Sequence, residues 1–67
     1  MARQTKAEKI ADARIERLYR EGCCGVAINI MKIGAVFKAG HAAIATGADD
    51  AAVKAAIVAF VETIREN

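Results

Sequence analysis

Residues 26–46 read VAINIMKIGAVFKAGHAAIAT, a stretch with only two charged side chains and no proline. At about 100° per residue, Val26, Ile30, Ile33, Phe37 and Ile44 fall almost on one line, as on an α-helix with a buried face. The opposite side is apolar too. Ile28, Met31, Ala35, Ala39 and Ala42 form a second stripe of smaller side chains, with Asn29, Lys32, Lys38 and His41 the only polar side chains between the two. The pattern predicts a central helix from Val26 to Thr46 that is buried on two sides. Outer helices in one chain can cover one broad face of it. The alanine-rich face would let a further helix approach within about 8 Å between axes, and it is expected to be a subunit contact.

Helices are expected on both sides. Before the central stretch, Thr5 followed by Glu8 fits a capping box, and Gly22 suits a helix C-terminus, so a first helix is expected over Thr5–Glu21. Ala7, Ala11, Ile15 and Leu18 share its inner face, with Tyr19 at the margin. Arg3, Lys6, Lys9, Arg14, Arg17 and Arg20 occupy a sector of about 140° on the other side. Glu8, Asp12 and Glu16 form a separate acidic strip. After the central stretch, Thr46-Gly47-Ala48-Asp49-Asp50 supplies a break, a cap and negative charge at the positive end of a helix dipole. A third helix is expected from Asp49 to Glu66, with Val53, Ile57, Phe60, Val61 and Ile64 inward and Ala51, Ala55, Ala59, Glu62 and Glu66 outward.

The expected fold is all-α: one domain over residues 1–67, three helices up-down-up, assembled as a homodimeric bundle, with residues 1–4 a flexible basic N-terminus. Its core should hold Ile30, Ile33, Phe37, Ile57, Phe60 and Ile64, joined by Ile15 and Leu18. Self-association is also what the size suggests. A 67-residue chain is near the limit at which one core suffices. Adjacent Cys23 and Cys24 rarely bridge, and a lone His41 without CxxC spacing does not make a zinc site. Unpaired cysteines and a charged N-terminus without a secretory signal point to the cytoplasm. The uncharged runs are too short to span a bilayer.

Chemistry is sparse. A thiol nucleophile needs a base, and His41 lies about 25 Å along the expected helix from Cys23 and Cys24. Asp49 and Asp50 read as helix caps rather than a cation site, and no glycine pattern resembles a phosphate loop. The chain is therefore read as non-enzymatic, without metal or cofactor. The stretch AAIATGADDAAVKAAI resembles a helix-turn-helix turn, with Ala43, Gly47 and Val53 at its spacing. That resemblance implies DNA reading by the third helix, yet its start offers Asp49, Asp50, Ala51 and Ala52, which suit neither bases nor phosphates. The six basic residues of the first helix are the alternative nucleic-acid surface. In size and composition the chain also resembles short helical regulators of bacteria, plasmids and phages. Elimination and surplus apolar helix surface favour an adaptor, inhibitor or regulator that binds another protein through a homodimeric bundle. Ile28, Met31, Ala35, Ala39 and Ala42 are its expected oligomer interface.

Overall fold

The computed structural model describes residues 5–66. It holds three α-helices: α1 (Lys6–Gly22), α2 (Ile33–Ala45) and α3 (Asp50–Ile64). The class is all-α, as the periodicity predicts. The chain between α1 and α2 differs from expectation. Val26–Lys32 is not helical in the α sense: Ala27–Ile28 form a short strand β1 and Ile30–Lys32 a single 3-10 turn. Strand β1 pairs antiparallel with β2 (Arg65–Glu66), Ala27 opposite Glu66 and Ile28 opposite Arg65.

Local chemistry accounts for each boundary. Thr5 caps α1 by accepting from the Glu8 N–H at 3.1 Å, and its hydroxyl donates to Glu8 Oε1 at 3.3 Å. Gly22 does not end α1 by turning left-handed; it stays in the last turn, and Gly25 (φ 79°) makes the reversal instead. A Cβ on Gly22 would sit 2.6 Å from Val58 Cγ2, so this glycine lets α3 approach α1. After Gly25, the Asn29 side chain accepts the Met31 N–H at 2.9 Å and the Asn29 carbonyl accepts from Lys32. A side chain that captures a backbone donor in this way competes with a continuous helix. Helix α2 therefore starts seven residues later than its apolar line suggests. Asp49 caps α3 by accepting from the Ala52 N–H at 2.9 Å, after a turn through Gly47 (φ 83°).

Helices α1 and α2 run antiparallel. Gly40 faces Ile15, where an added Cβ would meet Ile15 Cγ1 at 2.7 Å, and His41 lies beside Asp12. Helix α3 follows the direction of α1, passing Arg14 with Asp50, Glu21 with Lys54 and Gly22 with Val58. The core is Ile15, Leu18, Cys23, Val36, Val53, Ile57 and Val61. Ile33, Phe37, Phe60 and Ile64 are half-buried around it. Ile30, expected inside, is 81% exposed because the 3-10 turn points it outward. The inner side of α2 follows Val36 and Gly40, between the two lines that the apolar periodicity marks.

Candidate functional site

Three arginines on the basic side of α1 are paired with two carboxylates. Arg14 Nε and Arg17 hold the two oxygens of Asp50 at 2.5 and 2.9 Å, and Arg14 also donates to the Ala48 carbonyl at 3.2 Å. Hydrogen bonds from Arg17 and then Arg14 hold the Asp50 carboxyl below its ordinary value. Arg20 pairs with Glu16 one turn back at 2.5 Å. Lys6 and Lys9 are exposed on the first turn, and Arg3 lies outside the described residues. The expected row of six cations is thus interrupted by a clasp from α1 to the start of α3.

The helix-turn-helix spacing has a structural counterpart. Ala43 packs against the core, Gly47 takes the left-handed turn and Val53 is fully buried. The 13-residue α2 is also much shorter than the expected helix. Besides Asp50, which Arg14 and Arg17 hold, the exposed residues of the first turns of α3 are Ala51, Ala52 and Ala55. They bring no hydrogen-bonding group to a base edge.

The cysteines and histidine are not brought together. Cys23 is buried in the core, where burial and then Glu62 push its thiol up, away from the reactive thiolate. Cys24 is exposed. His41 Nε2 instead meets Asp12 Oδ1 at 2.6 Å between α1 and α2, a pair that the sequence did not signal. Among the described residues no group of three His, Cys, Asp or Glu side chains is placed to hold a metal. No helix there is long and apolar enough to cross a membrane.

The expected interface residues do not form one helical stripe. Ile28 is half-buried on β1, Met31 stands on the 3-10 turn, and only Ala35, Ala39 and Ala42 are on α2. Ala35 and Ala42 are exposed and Ala39 is half-buried. The sharpest apolar feature is Ile30 beside Met31, 81% and 86% exposed. Gly34 and Ala35 continue it onto the outer side of α2. Next to this corner, Tyr19, Ile33 and Phe37 line a surface groove of about 310 Å³, with Glu16 and Arg20 at its rim. The groove joins residues from two helices, so no single-helix periodicity reveals it. Compared with known proteins, the chain matches no family model, no curated protein and no solved structure.

Proposed function

We propose that this chain is a small non-enzymatic adaptor or regulator that binds another protein and works as a homodimer. The observation that carries the reading is the neighbouring exposure of Ile30 and Met31. They are held on an Asn29-capped turn rather than on a loose tail. A contiguous apolar patch on a fixed scaffold is characteristic of a contact site, whereas a scattered apolar side chain is not. Gly34 and Ala35, the small exposed residues that follow it at the start of α2, leave room for a partner backbone to approach. Light scattering at tens of micromolar tests the self-association. Ala35→Glu on the outer side of α2 should lower the mass, while Ala55→Glu on the outer side of α3 should not.

A second reading, nucleic-acid binding, is favoured by one observation, the left-handed Gly47 between a short α2 and α3. The Arg14–Asp50–Arg17 clasp and the alanines of α3 weigh against it. A mobility shift with generic duplex DNA separates the two. Binding that falls steeply with salt, and weakens when Lys6 and Lys9 become Gln, would replace the protein-contact reading.

A further inference from the structure

We propose that Met31 is an oxidation site, with a peroxide as the oxidant, that switches the exposed corner from apolar to polar. This rests on the pairing reading above and adds the regulation of that contact. Met31 is 86% exposed, which puts its sulfur within reach of a small oxidant in solution. Its backbone is held independently of that sulfur. The Met31 N–H donates to Asn29 Oδ1 at 2.9 Å, and the Lys32 N–H donates to the Asn29 carbonyl at 2.8 Å. Strand β1, just before the turn, is anchored by its pairing with Arg65–Glu66. The fold thus holds this side chain in place without burying it. Of the two nearby thiols, Cys23 is buried in the core and Cys24 is exposed.

The chemistry is a transfer of one oxygen atom. The sulfur lone pair attacks one oxygen of hydrogen peroxide, the O–O bond breaks and an S–O bond forms. The second oxygen leaves with both hydrogens as water. Sulfur loses two electrons, the peroxide gains two, and the protein gives up no bond and no proton. The product, methionine sulfoxide, is polar where the thioether was apolar, and dedicated reductases reverse it. In the single chain the sulfoxide stays hydrated. On pairing it loses that water, which is unfavourable for any polar group left without a hydrogen bond. A two-fold pair carries the group once in each copy, so the penalty acts twice. Oxidation of a core methionine disrupts packing. At this exposed position it acts on the contact and leaves the fold intact.

The test treats the chain with hydrogen peroxide and follows its light-scattering mass at tens of micromolar beside tryptic mass spectrometry. Cleavage after Arg20 and Lys32 releases residues 21–32, and fragmentation of that peptide should place one added oxygen on Met31. Pairing should then weaken about ten-fold or more, with the far-ultraviolet circular dichroism unchanged. Met31→Leu conserves the apolar volume and keeps both cysteines. It should pair, and should stay paired in peroxide. Met31→Gln should pair weakly with no oxidant present. A Met31→Leu variant that loses pairing in peroxide as wild type does assigns the effect to another residue and overturns the proposal. So does a Met31 that stays unoxidised. A fully oxidised wild type that pairs as before also overturns it, and leaves the pairing reading standing. A chain that is monomeric before any peroxide is added removes both.

Discussion

Replacing Gly40 by alanine should destabilise the protein, against the usual rule for a glycine inside a helix. In the open, alanine is favoured over glycine by about 1 kcal/mol at such a position. Here the new Cβ would lie 2.7, 2.9 and 3.0 Å from Cγ1, Cδ1 and Cγ2 of Ile15. Ile15 is fully buried and β-branched, so it has little freedom to move aside. Overpacking a tight core costs about 1–3 kcal/mol. Contact with three atoms of one stiff side chain places this case at the upper end, for a net loss of about 1–2 kcal/mol. In a domain of this size that lowers the melting temperature by about 4–15 °C. Gly34 is the internal control: it is exposed on the same helix with nothing within 4 Å of its ideal Cβ. Gly34→Ala should stabilise by about 0.5 kcal/mol. Urea unfolding followed by circular dichroism measures both. The double variant Gly40→Ala with Ile15→Ala should lose at least about 1 kcal/mol less than the two single losses combined. If Gly40→Ala stabilises as Gly34→Ala does, the contact of α1 with α2 at Gly40 is refuted.

Other perturbations test other links. Ile57→Ala, at a fully buried site, should cost about 2–5 kcal/mol, while Ile30→Ala, at an 81% exposed site, should leave the urea midpoint almost unchanged at a concentration where the chain is monomeric. Asp50 contributes stability that is present above its ordinary value of 3.8 and is lost as pH falls through its lowered folded-state value. Asp50→Asn should therefore flatten the acid limb of the urea midpoint against pH, and an unchanged acid limb would show that the clasp does not stabilise the fold. Cys24 should react with a thiol reagent at once and Cys23 only on opening of the core; two equally fast thiols would place Cys23 outside it.

Much of the architecture was legible because its signals are local. Thr5 with Glu8 and Asp49 mark helix starts by their own side-chain chemistry, and the inner face of α3 follows a single clean periodicity. The start of α2 was misread for a physical reason. Val26, Ile30 and Ile33 continue the helical line of Phe37, yet Val26, Ile28 and Ile30 also alternate at the strand period, with Gly25 before them and the cap residue Asn29 among them. A long helical pattern outweighed a short strand pattern whose partner, Arg65–Glu66, is remote in sequence. Gly22 and Gly40 carry no hydrophobic signal, so the close helix approaches at these two glycines have no counterpart in the sequence pattern. Val36 falls between the apparent stripes and was missed with them. The clasp from Arg14 and Arg17 to Asp50 and the groove at Tyr19 depend on how the helices cross, which no periodicity within one helix encodes.

Pairing through the Ile30–Met31 corner is tested by the mass of the wild-type chain and of Met31→Glu at tens of micromolar, measured side by side by light scattering. Wild type should have twice 7.1 kDa and the variant 7.1 kDa, both folded. A wild type that stays at 7.1 kDa, or a variant that pairs as wild type does, contradicts the claim that the exposed Ile30–Met31 corner is the contact through which this protein acts.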